Sequence, residues 1–221
     1  MFDYSLALIF STSFIIGFSG AMMPGPLVTM VISESARRGF RAAPLLVAGH
    51  SLAELAMVIA LAAGLSALLS QNVVAGAVGL LGGGALVWMG AGILQAVRKG
   101  QVAMEATGNG RAAQGYVWSG IVASVSNPYW LLWWATVGTT YIFRSMGSGA
   151  AGPISFYTGH ILSDLVWCCF VAFLIVSGRK MLSQRAYQGI LAVCGLFMVG
   201  LGGYFFVSGA QFLAPLAAIA L

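Results

Sequence analysis

Charge is what this sequence has least of. Its 221 residues include 10 Lys and Arg, 5 Asp and Glu and 2 His, so 7% of positions carry a formal charge, where soluble domains run near ~25%. Hydrophobic residues fill 60% of the chain, and there are 30 glycines. So little polar surface excludes a water-soluble globular domain and a disordered tail. Cysteine is also scarce. Cys168, Cys169 and Cys194 all lie within apolar runs and form no CxxC pair, which excludes a disulfide scaffold and leaves them as small packing residues. The start, Met1-Phe2-Asp3, lacks the basic region of a cleaved secretory signal, so the first apolar segment is expected to be retained. The net charge of +5 comes from basic residues in short loops between apolar runs; it forms no basic face, and no nucleic-acid partner is expected. Gly82-Gly83-Gly84 lies inside an apolar span with no Lys after it, unlike a nucleotide loop, and no cofactor is expected. No Ser/His or HExxH arrangement occurs, so an enzyme is not expected either.

What the chain does have is length without charge. Tyr4 to Ser33 and Leu55 to Val97 contain no charged residue. A bilayer-crossing helix needs ~20 apolar residues, whereas a barrel shows ~10-residue alternating segments. The fold class is therefore an all-α integral membrane protein, with about six spans in this length. Span 1 runs from about Tyr4 into the low 30s and is broken at Pro24-Gly25-Pro26; span 2 covers about Ala42–Leu69 and span 3 about Val73–Val97. Span 4 covers about Gly115–Phe143, broken at Asn127-Pro128; span 5 covers about Pro153–Ser177 and span 6 about Tyr187–Gly209. With this layout, Arg37, Arg38, Arg41, Arg98, Lys99, Arg111, Arg179, Lys180 and Arg185 fall on one side and Arg144 alone on the other. The positive-inside rule places the basic loops in the cytoplasm and both termini outside.

The chain repeats itself. Gly49-His50-Ser51-Leu52-Ala53-Glu54-Leu55 in span 2 and Gly159-His160-Ile161-Leu162-Ser163-Asp164-Leu165 in span 5 both read Gly-His-x-Leu-x-acid-Leu. Spans 1 and 4 each break at proline, and spans 3 and 6 are both studded with glycine. The expected organisation is one transporter domain of two three-helix repeats, 1–98 and 112–221, joined by a cytoplasmic linker, 99–111. An odd number of spans per half forces opposite insertion, the inverted repeat typical of secondary transporters.

The scarce ionisable residues then become the candidate site. His50 and Glu54 are spaced i, i+4 on one helix face, and so are His160 and Asp164. Asp at the centre of a bilayer costs ~2.5–3.5 kcal/mol on insertion scales, so four such groups are expected to face one another or a wet cavity. With His titrating near neutrality, the quartet can bind substrate and protons; read blandly, it is a pair of helix-gluing hydrogen bonds. Pro24-Gly25-Pro26 cannot continue a helix. Irregular backbone at membrane depth is tolerated where it lines a cavity, and a half-helix start there offers a positive dipole end to an anion. Asn127 and Pro128 are the second-half counterpart. In the aromatic cluster after that break, Trp130 and Trp134 are candidates to line the cavity, against the usual interfacial role of Trp. Glu34 is a candidate gate, or a solvated pair with Arg37 and Arg38. The glycines of spans 3 and 6 suit close helix packing, within the chain or in a homodimer.

Pro24-Gly25-Pro26 at the end of the first span, Arg37-Arg38-Gly39-Phe40-Arg41, the Gly49 region and Asn127-Pro128 together resemble the LysE/RhtB family of amino-acid exporters. Length and span layout match over nearly the whole chain. The resemblance implies a six-span protein of the bacterial or archaeal cytoplasmic (inner) membrane, exporting an amino acid or similar small metabolite, driven by an ion gradient. It also implies functional roles for Pro24, Gly25, Pro26, Asn127 and Pro128. The chain departs from the family where Tyr129 follows Pro128 in place of the common Lys, and in its two His/acid pairs. The wider superfamily is similar to transporters of divalent metals, and His50, Glu54, His160 and Asp164 would suit such an ion as ligands. The expected function is proton antiport of a small zwitterion with alternating access, in the lipid bilayer; the alternative is divalent-metal export through the same four residues.

Overall fold

The computed structural model describes residues 5–65, 71–101, 113–178 and 183–219, and its regular structure there is helical throughout. Most of the expected linker (102–111, with Arg111), the basic pair Arg179 and Lys180, the start Met1–Tyr4 and the end of span 2 at Leu69 lie outside the described residues. Helix α1 (Leu6–Ala21) begins at Ser5, whose side chain accepts from the Leu8 N–H. Helix α2 (Pro26–Arg38) begins after the break, with extended Gly25 as its cap and Pro26 in its first turn, where a missing N–H loses no helical bond. The two axes are bent by 78°. Gly39, at φ +89° in the left-handed region that favours glycine, ends α2. A short turn then leads to α3 (Ala42–Ala62).

Helix α4 (Asn72–Arg98) is followed, beyond the linker, by α5 (Ala113–Val125). Asn127 caps the short α6 (Pro128–Trp133) by accepting from the Tyr129 N–H at 3.1 Å. A π-helical turn, Trp134–Gly138, then widens the helix before α7 (Thr139–Met146). Helices α8 (Ala151–Gly178) and α9 (Gln184–Ile219) complete the chain. Both expected breaks occur. The π turn was not expected, and α9 runs well past the expected end of span 6 at Gly209.

Four helices, α3, α4, α8 and α9, are long and apolar enough to cross a membrane, and the bent pair α1–α2 makes a fifth candidate. The remaining segment, α5 to α7, is cut into pieces but covers the same height. At its start Tyr116 donates a hydrogen bond to Glu34 near the end of α2. At its finish Arg144 lines a small pocket with Leu8, Ile9 and Thr12 at the start of α1. The C-terminal turns of α2 and α4 meet the first turns of α9 in one apolar cluster containing Ile32, Ala36, Val97, Tyr187 and Leu191. Arg37, Arg38, Arg98 and Arg185 therefore share one end of the bundle, and Arg144 lies at the other.

Glycine sets the packing. A Cβ at Gly159 on α8 would strike the Phe10 carbonyl and Ser13 of α1, and one at Gly49 on α3 would strike the Val117 carbonyl of α5. The repeated Gly-His motifs thus each seat their helix against the first helix of the opposite half. Helices α4 and α9 approach in the same way, with Gly83 against the Gly202 carbonyl and Gly90 against the Gly195 carbonyl, 2.7 Å each from an added Cβ. Much of the glycine seam is therefore used inside one chain, while Gly92, Gly200 and Gly203 face open space.

Candidate functional site

The four ionisable side chains of the repeated motifs converge. Helical spacing points His50 and Glu54 from α3, and His160 and Asp164 from α8, into one region, and all four are buried. Glu54 Oε1 is the focus. His50 Nε2 lies 3.1 Å from it and His160 Nε2 3.3 Å. The indole N–H groups of Trp130 and Trp134 donate to the same oxygen at 3.1 and 3.2 Å. Asp164 Oδ2 is looser, 3.8 Å from His50 Nε2 and 3.6 Å from His160 Nε2, beyond ordinary hydrogen-bond length. Glu54 Oε2, Asp164 Oδ2 and His160 Nδ1 are buried without a hydrogen-bond partner.

The two imidazoles are held differently. Ser124 Oγ donates to the Gly120 carbonyl at 2.7 Å and lies 2.6 Å from His50 Nδ1. This hydroxyl therefore bridges the backbone of α5 and the His50 ring, and it holds Nδ1 while Nε2 faces the carboxylates. His160 has no such hydroxyl at Nδ1; the bare α-carbon of Gly17 faces it, and an added Cβ there would come within 2.9 Å. Its ring is fixed instead by aromatics, stacked on Trp133 at 4.5 Å between centroids and edge-on to Trp134 at 5.4 Å. Trp133 in turn donates to Ser19 Oγ at 3.0 Å, tying α6 to α1.

Both helix breaks border this cluster. Gly25 sits against Asn127, whose Nδ2 would be 3.2 Å from an added Cβ. A cavity of about 50 Å³ is lined by Gly25, Leu27 and Val28 at the start of α2, by Asn127 and Trp130, and by all four ionisable residues. Pro24 and Pro26 shape the break, and Pro128 starts α6, but none of the three lines this cavity. Pro128 instead borders a separate apolar groove of about 550 Å³ between α4, α6 and α9, whose lining includes no acid, base or histidine. At about 50 Å³ this cavity is far below the ~300 Å³ of an ordinary small-molecule site, so the helices leave little room beside the four ionisable residues. His50, Glu54 and Asp164 also offer ligand atoms within 4.8 Å of one another, a spacing that could hold a metal ion.

Glu34 stands apart from the quartet. It is buried rather than solvated, with Arg38 Nε at 3.4 Å and the Tyr116 hydroxyl donating at 3.3 Å. The expectation of a solvated pair fails because α5 covers that turn of α2. Sequence reasoning missed Ser124, Trp133 and Cys168, which also lines the cavity. Ser124 lies a few residues before the Asn127 break, and Trp133 lies one turn past Trp130; position relative to the break was the signal available.

Comparison with known proteins gives the chain a family. The chain is 28% identical over 197 residues to the chemotactic transduction protein ChpE of Pseudomonas aeruginosa, covering 88% of this chain and 96% of that one. No solved structure matches. The family model for the LysE type translocator matches residues 18–209, which takes in both helix breaks and both Gly-His motifs. The chain belongs to the LysE type translocator family, and it is a multi-pass membrane transport protein.

Proposed function

We propose that this translocator exports an amino acid or a similar small zwitterion from the cytoplasm by proton antiport with alternating access. In this reading α1–α2 and α5–α7 each cross the bilayer once, giving six crossings in a bacterial cytoplasmic membrane, with both termini outside. One observation carries the proposal: buried carboxylates with unpartnered oxygens share a small cavity with the first turn of a half-helix. A zwitterion has the complementary charges. Its carboxylate suits the free N–H groups and positive dipole end at the start of α2, and its ammonium group suits the acid side. Protons arriving from outside at the His/acid quartet would displace the bound ammonium and reset the site.

The test is exchange in liposomes. The double variant Glu54→Gln with Asp164→Asn is expected to abolish proton-coupled counterflow of the amino acid found by an export screen of overproducing cells. Normal exchange by that variant would overturn the mechanism. The ligand-like spacing of His50, Glu54 and Asp164 favours a second reading, with a divalent metal ion as cargo. Tight metal binding by the purified protein, lost in His50→Ala, together with no thermal stabilisation by any amino acid, would select that reading instead.

A further inference from the structure

The repeat makes Glu54 and Asp164 equivalent in sequence, yet their surroundings differ. Four nitrogens converge on Glu54 Oε1 within 3.3 Å. Asp164 Oδ2 has only the same two imidazoles, at 3.6 and 3.8 Å. The difference is written in the half-helices after the breaks. Trp130 and Trp134 stand two and six residues after Pro128; Val28 and Ile32 stand two and six residues after Pro26. Only the second half supplies indole donors. The π turn at Trp134–Gly138 belongs to this device, because the Trp134 ring lies over the α-carbon of Gly138, where a Cβ would collide with it.

We propose that the two carboxylates have divided the work: Glu54 is a fixed counter-ion pinned by Trp130 and Trp134, and Asp164 is the carboxylate that receives the cationic amine of the cargo. This rests on the reading of the cavity as the cargo site. Glu54 Oε1 takes two indole N–H bonds and faces two imidazole nitrogens at 3.1 and 3.3 Å, so its carboxylate cannot swing to follow a ligand even though Oε2 is without a partner. Asp164 Oδ2 is also buried without a partner, but its contacts to the imidazoles are looser, so an ammonium group can satisfy it without breaking an existing bond. The charged and titratable groups facing Asp164 are His50 and Glu54 on α3 and His160 and Cys168 on its own helix, with Tyr129 of α6 at the cavity wall. Helices α1 and α2 bring none to that wall. Trp130 and Trp134 are positioning residues for the Glu54 carboxylate; Trp130 also lines the cavity, whereas Trp134 does not.

Reaction of the full-length protein in liposomes with a small membrane-permeant carbodiimide, followed by peptide mapping, tests the division. Asp164 is expected to be labelled about tenfold more than Glu54, and Trp130→Phe with Trp134→Phe is expected to bring the two within about twofold, the size of effect that loss of two hydrogen bonds allows. A second readout needs no labelling. Glu54→Gln should lower the unfolding temperature, because it removes one partner from a buried charged network, whereas Asp164→Asn should leave it unchanged or raise it. Preferential labelling of Glu54, equal labelling of both acids in the unmodified protein, or an unfolding temperature lowered more by Asp164→Asn would overturn the proposal. Each of the twenty amino acids is then added as a protectant. Protection of Asp164 by one of them, and none by its deaminated analogue, supports the amine assignment. If none protects while the labelling bias stands, the amino-acid cargo falls and the fixed role of Glu54 remains.

Discussion

At the scale of single residues, the hydroxyl of Ser124 separates two histidines that the sequence repeats. It lies within hydrogen-bond distance of both the Gly120 carbonyl and His50 Nδ1. Ser124→Ala leaves that buried ring nitrogen without its partner, which costs about 1–3 kcal/mol. Thermal unfolding in detergent should register the loss. Ser126→Ala is the control: it also removes a back-bond, to the Val122 carbonyl at 2.7 Å, but at an exposed position. It should change stability by no more than about 0.5 kcal/mol. Equal effects at both positions would mean that the His50 contact contributes nothing. The same contrast shows what the sequence could reveal. His50, Glu54, His160 and Asp164 were legible because ionisable side chains are costly in an apolar helix and theirs recur at one spacing. Ser124 was not, because a serine in a membrane helix commonly bonds back to its own turn, and only tertiary contact shows its second partner. Trp130 and Trp134 lay between. Their place just after the break made them candidates to line the cavity, but interfacial tryptophan is common enough to explain them equally well.

At the scale of elements, the Gly-His motifs join two functions in adjacent residues. The glycine lets α3 or α8 meet the first helix of the other half, and the histidine next to it is thereby pressed into the shared site. Gly49→Ala and Gly159→Ala should each destabilise by about 1–3 kcal/mol or more, because the added methyl meets backbone carbonyl rather than a movable side chain. Gly200→Ala, where an added Cβ has nothing within 4 Å, should be neutral or stabilising by up to about 1 kcal/mol, the helical preference for Ala over Gly. Unfolding temperatures of the three variants decide this, and a tolerated Gly49→Ala would show that α3 and α5 need not touch. The breaks differ in kind. Asn127→Ala removes the cap on the Tyr129 N–H, worth about 1 kcal/mol, but it also removes a wall of the cavity beside Gly25. Transport is therefore expected to fall more than that stability loss explains, as measured by initial export rates at matched protein levels. The break positions were legible from proline alone. The 78° bend and the π turn were not, since both depend on which side chains the neighbouring helices demand.

At the scale of the whole molecule, the small cavity bears on motion. Its volume of about 50 Å³ is too small for a metabolite, so the proposed alternating-access cycle would need helices to part at one end and then at the other. At the basic end, α2 is latched to α5 by the hydrogen bond from Tyr116 to Glu34, with Arg38 on the same carboxylate. Helix α2 is also the segment freed by the break at Pro24-Gly25, so it can tilt without unravelling α1. Cys168 offers a built-in reporter: it lines the cavity and is 1% exposed in the closed form. With Cys169 and Cys194 replaced by Ser, a membrane-impermeant thiol reagent should reach Cys168 slowly. Tyr116→Phe removes one hydrogen bond of the latch, worth about 0.5–1.5 kcal/mol, and should speed labelling roughly two- to tenfold. The acceleration is expected only when the reagent is supplied at the cytoplasmic face, in inside-out vesicles, because the latch lies among the basic residues that the positive-inside rule assigns to that face. Acceleration confined to right-side-out vesicles would reverse the orientation of the protein while leaving the latch in place. No acceleration on either side would remove the Glu34–Tyr116 contact from the gating motion and shift attention to the opposite end, where α1, α7 and α8 close over the same four residues.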